Sequence, residues 1–367
     1  MKFLHVLGLV ASLALVTSPL TTAGAPAPLS DTYSGIIGIG GDAGDQGSIS
    51  IKITSTGKYT LRGRAAGIGF SHKGEVPEGG AVSEDFTIKL LGGFIKIQTH
   101  LEFVVPVGSD KIEGTAKFTF GEDTATLNFT LYKAFPYTNE SPTPFAGRHV
   151  IVLTPLDKLS NIPGRGVATV NVSPTGLVKV SGSLADGAKF NCGGRLSETG
   201  IFPILNVLYN RTGFIGGFAE FGPVSELNVL DWAKVTSKGD PIFRGDLDVN
   251  IVPYTPPAAG LPAISFGNQD NSALFALSGG GLVSFNPVTI QVSDTNKITV
   301  QGENEDKLKL ELNKKTGLIS GTIKLEINDI VKSRAIKLVV DQGDGRAFGF
   351  FVSPEPSADA RLGVFNE

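Results

Sequence analysis

Few side chains in this chain could do covalent or metal chemistry. Cys192 is the single cysteine among 367 residues, and histidine occurs at His5, His72, His100 and His149. A thiolate nucleophile needs a polarising base or cation beside it. Folding could bring His72, His100 or His149 to Cys192, yet nothing in the sequence around any of them supports such a pair. No G-x-S-x-G elbow occurs. One cysteine allows neither an intrachain disulfide nor a thiolate zinc cluster, and within a strand it reads as a small buried hydrophobe. The histidines lack the H-x-x-x-H spacing of a metal site. The expectation is no catalytic residue, no cofactor and no metal site.

Two glycine-rich acidic loops, Gly40-Gly41-Asp42-Ala43-Gly44-Asp45 and Asp341-Gln342-Gly343-Asp344-Gly345, offer oxygens of the kind Ca²⁺ takes. Neither fits the twelve-residue calcium loop, and Asp and Gly are the ordinary turn formers, so both read as turns. Sugar binding would use exposed aromatic platforms, for which Trp232, Tyr209 and Tyr254 are the candidates. Burial in cores or at module contacts is the competing reading of all three. Paired carboxylates for glycoside hydrolysis cannot be located, because their spacing is a property of the fold. Asn128, Asn139 and Asn210 each open an Asn-x-Ser/Thr tripeptide, a short pattern that is common by chance.

The elements that would carry these residues are strands. Gly166 to Phe190, GVATVNVSPTGLVKVSGSLADGAKF, reads as a hairpin followed by a third strand. Ala168, Val170 and Val172 alternate with polar residues, as do Val178 and Val180 after the turn, so one row faces a core. Ser173-Pro174-Thr175-Gly176 is the turn, with proline presetting φ and glycine taking the left-handed conformation. GSISIKITSTGKYTLRGR, from Gly47 to Arg64, repeats the unit. Gly63 answers Gly182, Gly67 answers Gly187 with one residue inserted, and Phe70 answers Phe190. Lys307 to Ile323, KLKLELNKKTGLISGTI, is a third copy, and Asn210 to Gly213 is another polar turn ending in Thr-Gly. Further strands are expected at 94–105, 111–120, 125–132, 204–209, 214–221, 282–292, 297–301 and 348–352. Weak helical period occurs only at Val224–Val235 and Glu326–Ser333.

Composition agrees. There are 47 glycines against one methionine and one tryptophan, which suits turns and strands, since glycine inside a helix costs about 1 kcal/mol. The charge is near balance at −3, so the cationic field that nucleic acid requires is missing. Lys2, the apolar run Leu4–Val16 and the small residues Thr21-Thr22-Ala23 form a secretory signal, expected to end at residue 23. A linker follows over 24–31. Pro-rich stretches at 136–144 and 253–262 then divide three β modules, 32–135, 145–251 and 263–367. The expected fold is all-β: tandem antiparallel barrel or sandwich modules built from Thr-Gly hairpins.

The segments GVATVNVSPTGLVKVSGSLADGAKF, FPILNVLYNRTGFIGGFAEF with Trp232, KLKLELNKKTGLISGTI and FGFFVSPE, and the opening YSGIIG, resemble a β-repeat unit of secreted proteins from environmental Gram-negative bacteria. The resemblance covers nearly all of the chain after residue 23, as one unit with three subrepeats. It implies a surface or structural role and no established activity.

The functional expectation is a secreted or cell-surface, non-enzymatic β protein with a structural or adhesive role. Its partners would be extracellular polysaccharide or protein, with no nucleic acid and no membrane span. A carbohydrate-binding module acting on extracellular polysaccharide is the alternative. An outer-membrane barrel is disfavoured by one tryptophan and six tyrosines, too few for aromatic girdles. A hydrolase with fold-assembled carboxylates stays open.

Overall fold

The computed structural model describes residues 31–364, except 39–45, 66, 107, 109, 158–161, 223–226 and 356–357. The expected signal, nearly all of the first linker and the Gly40–Asp45 loop lie outside the described residues. The chain gathers into two compact units: 1–135 with 195–218 and 233–242, and 136–194 with 219–232 and 243–367.

Among the described residues every regular element longer than three residues is a strand. The first set is β1 (Asp31–Ile37), β2 (Gly47–Ile53), β3 (Lys58–Ala65), β4 (Ile68–Glu75), β5 (Ala81–Leu90), β6 (Ile95–Val104), β7 (Lys111–Phe120) and β8 (Asp123–Lys133). The second is β9 (Gly147–Pro155), β10 (Gly166–Val172), β11 (Leu177–Ser183), β12 (Lys189–Arg195), β13 (Ile201–Leu208), β14 (Gly213–Glu220), β15 (Val229–Val235) and β16 (Pro241–Tyr254). The third is β17 (Ser272–Ser278), β18 (Val288–Val292), β19 (Ile298–Val300), β20 (Lys309–Asn313), β21 (Leu318–Ile327), β22 (Ile330–Asp341), β23 (Arg346–Phe351) and β24 (Asp359–Gly363).

The three eight-stranded antiparallel sheets are barrel-like and share one plan. Their orders are β4-β3-β2-β1-β8-β7-β6-β5, β12-β11-β10-β9-β16-β15-β14-β13 and β19-β18-β17-β24-β23-β22-β21-β20. Except across one seam, each strand neighbours its sequence neighbour, and the first and last strands of each set pair with each other. This is an up-and-down barrel opened at one seam. The seam follows the fourth strand in the first two sheets and the third strand in the last.

Alternation builds the interiors. In the first sheet Ile37, Ile51, Leu61, Leu101, Ile112 and Leu131 are wholly buried and join one core cluster. Burying each such side chain contributes about 1.5–3 kcal/mol. Lys52, Arg62 and Lys117 alternate with them and are exposed.

A recurring turn sets the hairpin registers. At Thr54, Ser173, Ser197, Thr236 and Ser293 the backbone N–H donates to the carbonyl four residues on. The N–H three residues on, at Gly57, Gly176, Gly200, Gly239 and Asn296, donates back to the first residue's carbonyl. Those five residues all have positive φ, 67° to 97°. This is a type I turn closed by a left-handed bulge residue. In three of these turns, at Ser173, Ser197 and Ser293, the serine Oγ lies 2.9–3.0 Å from the threonine hydroxyl two residues on and accepts the N–H four residues on.

Four local expectations are corrected. The Asn210–Gly213 turn does not close on its glycine. Tyr209, Asn210 and Arg211 carry the positive φ, and Gly213 opens β14. The strand expected from Leu282 begins only at Val288, because Gly279, Gly280 and Gly281 are all left-handed and Pro287 has no N–H to give a ladder. The described part of Val224–Val235 is strand β15, not helix. Glu326–Ser333 is a hairpin: Asn328 and Asp329, at φ 53° and 60°, make a two-residue turn with Ile327 opposite Ile330. No helix among the described residues is long and apolar enough to cross a membrane.

Candidate functional site

A concavity lies on the outer face of β9–β12. The register places Arg148 opposite Asn171 and Asn171 opposite Lys179, so three polar side chains line up across three adjacent strands. One step along the same face Thr169 stands opposite Ser181. Their register neighbours in the other parity, His149, Val170 and Val180, form the inward row, and the last two are buried. Thr316, from the β20–β21 turn, closes a cavity of about 400 Å³ that Asn191 and Cys192 also border. Tyr254 fixes that turn. Its OH donates to the Lys314 carbonyl at 2.8 Å, and a Cβ at Gly317 would collide with its ring. Burial pushes the Tyr254 phenol up to about 12, although the Arg148 charge pulls the other way.

Cys192 and His149 thus border one cavity, but His149 belongs to the inward row. Its Nε2 lies 3.0 Å from the Phe145 carbonyl, and its ring lies 4.7 Å from that of Phe221. Burial holds its pKa below the ordinary histidine value. Cys192 is half-buried and forms no disulfide.

His72 and His100 sit in the other unit. β4 and β5 are the two ends of the first sheet, and His72 Nε2 approaches Glu84 Oε2 at 2.5 Å across that seam. The Tyr59 OH donates to the same oxygen at 2.9 Å, and Phe86 stacks on the imidazole at 4.3 Å. Side chains therefore bridge the seam in place of a ladder. His100 is held between Asp85 at 2.8 Å and Glu102 at 3.1 Å, and these carboxylates, Glu102 foremost, raise its pKa.

The aromatic candidates are not platforms. Trp232 is fully buried, edge-on to Phe243 at 4.7 Å. Tyr254 is 3% exposed. Tyr209 is half-buried under Lys234, whose Nζ lies 4.3 Å from the ring centre. At the second acidic loop, Asp341 Oδ1 accepts the N–H groups of Gly343 and Asp344, so its own turn occupies it. No group of three or more His, Cys, Asp or Glu side chains among the described residues could hold a metal ion. Asn128, Asn139 and Asn210 are exposed.

Sequence reading missed the Arg148–Asn171–Lys179 row and the Tyr59–Glu84–His72 seam. The first depends on the register of three successive strands, the second on the approach of the sheet's two ends. Only the alternation of polar residues opposite the valines of β10 and β11 signalled the first.

No protein-family model matches the chain. No curated protein matches it. Among solved structures it is similar to the intact Ap-TbpB with N and C lobes, at 11% identity over 92% of this chain and 77% of that one, with a TM-score of 0.23. It is also similar to two mutant forms of the vaccine antigen transferrin-binding protein B from Haemophilus parasuis Hp5. The double mutant has 10% identity over 90% of this chain and 74% of that one, TM-score 0.21. The single mutant has 11% identity over 92% and 76%, TM-score 0.22.

Proposed function

We propose that this chain is an exported, non-enzymatic β protein acting outside the cell as a structural or adhesive body. The observation that carries this reading is where the polar groups lie. The first sheet fills its interior with aliphatic side chains and places Lys52, Arg62 and Lys117 outside. That is the reverse of a membrane barrel with a polar lumen. Interaction on this reading uses outer faces. The signal expected at residues 1–23 and the resemblance to a secreted bacterial β-repeat unit support the extracellular assignment.

Fractionation of expressing cells tests the reading. The chain should be recovered from the cell surface or medium and should increase retention of cells on extracellular matrix. Recovery in the cytosol with no effect on retention would overturn it.

The second reading, a carbohydrate-binding module, draws support from the groove on β9–β12 that Arg148, Asn171 and Lys179 border and not from aromatic stacking. On this reading Trp232→Ala lowers stability without selectively abolishing glycan binding, because the indole is inaccessible in the folded chain. A glycan array run with this variant separates the two effects.

A further inference from the structure

We propose that the groove on the outer face of β9–β12 binds an acidic polysaccharide, a chain that carries carboxylate or sulfate groups among hydroxyls. This rests on the surface-binding reading above and names its ligand. Arg148 and Lys179 flank Asn171 in register, so the two cations stand two strand spacings, about 10 Å, apart at the backbone. Hydroxyls of Thr169 and Ser181 lie in the next row, and no carboxylate lines the cavity. Its volume of about 400 Å³ falls within the range of small-ligand sites.

A second observation extends the cationic surface. Lys189 lies two residues before Asn191, on the same parity of β12. Its charge adds to burial in lowering the pKa of Lys337, with no carboxylate acting in the other direction. The wall of the groove is also fixed in advance. Tyr254 pins the turn that carries Lys314, Lys315 and Thr316, which limits the ordering cost of binding.

The chemistry favours a sugar chain over an extended peptide. β9, β10 and β11, which carry Arg148, Asn171 and Lys179, are interior strands with partners on both sides, so strand addition cannot occur at that row. Recognition there must use side-chain guanidinium, ammonium, amide and hydroxyl groups, which match anionic groups and sugar hydroxyls.

The test measures binding of the purified full chain to polygalacturonate, dextran sulfate and neutral dextran. At least one anionic polymer should bind, more weakly as salt rises, and dextran should not. Preference between the two identifies carboxylate or sulfate. Arg148→Glu with Lys179→Glu should lose about tenfold or more in affinity, because hydrogen bonds to charged groups are worth roughly 1.5–3 kcal/mol each. Arg148→Gln with Lys179→Gln should show a smaller loss, and serves if the reversal fails to fold by circular dichroism. Lys89→Glu with Lys96→Glu, on the β5–β6 hairpin, should change nothing. Equal binding by the groove variants, or failure of both anionic polymers, overturns the assignment. Retention on matrix or on neutral glycans would then preserve the adhesive reading, whereas binding to no surface at all would remove both.

Discussion

The ring of Phe190 lies over Gly182 on the neighbouring strand, where a Cβ at Gly182 would collide with its Cε1 and Cζ atoms. Phe70 covers Gly63, its register partner, in the same way in the first sheet. An aromatic laid across a strand glycine restores the packing that the missing side chain forgoes. Phe190 is 1% exposed. Gly182→Ala should therefore destabilise by about 1–3 kcal/mol through overpacking, and Phe190→Ala by about 3–5 kcal/mol. In the Phe190→Ala background the Gly182→Ala penalty should shrink, leaving only the close approach to Ala168 Cβ at 2.9 Å. Denaturant melts of the four chains give the coupling energy, and strict additivity would refute direct packing.

At the seam of the first sheet, Glu84 is the shared acceptor for Tyr59 and His72. Replacing it with leucine leaves the hydroxyl of Tyr59, a residue 2% exposed, without that acceptor. The expected loss is about 1–3 kcal/mol, with faster hydrogen exchange in β4 and β5. Glu84→Gln keeps an acceptor oxygen and should lose less than half as much. Equal stability of the leucine variant and the parent would show that the seam is held by other contacts.

These relationships differ in how far the chain alone discloses them. The spacing that sets Gly63 against Gly182 and Phe70 against Phe190 is local, so the repeat could be read before any fold was known. The Thr-Gly turns at 54–57 and 173–176 were legible for the same reason. The turn at 293–296 was not, because Asn296 takes the left-handed place of glycine and uses its side chain on Ala263 and Leu261. Asn210 to Gly213 misled because Thr-Gly is present while the positive φ falls upstream. The groove and the seam stayed hidden for a different reason. Arg148, Asn171 and Lys179 meet through register, and Glu84 reaches His72 only because the sheet curls its two ends together.

Tyr33, Tyr59 and Tyr254 are buried and hold their phenols above the ordinary value near 10. Burial is the main cause in each. Asp31 adds to it for Tyr33, and the Glu84 bond for Tyr59. Tyr33 and Tyr254 rise to about 12. The folded pKa exceeds the unfolded one, so this stabilisation is complete below pH 10 and is lost as pH rises from about 10 towards 12. Tyrosinate absorbance recorded with circular dichroism should show these three ionising together with loss of structure. Ionisation of all six tyrosines near pH 10 with the spectrum intact would contradict the burial.

His149 gives the opposite sign. Burial depresses its pKa below 6.5, against a smaller upward pull from the Phe145 carbonyl. Phe145 stacks on Phe221 at 5.4 Å, so a proton gained by His149 is charged beside this aromatic pair. The unfolded chain binds that proton more readily, so stability is complete above pH 6.5 and falls as pH drops towards the lower folded value. Asp231 and Asp359 are displaced upward by burial and contribute the contrary slope. His149→Gln keeps an amide to donate to Phe145 but does not titrate, and the two aspartates are unchanged in it. The difference between the variant's and the parent's stability–pH curves therefore isolates the histidine. Near neutral pH the variant should lose about 1 kcal/mol, and below pH 6.5 its curve should be flatter than the parent's. Parallel curves through that range would mean that His149 takes up its proton as freely in the folded chain as in the unfolded one.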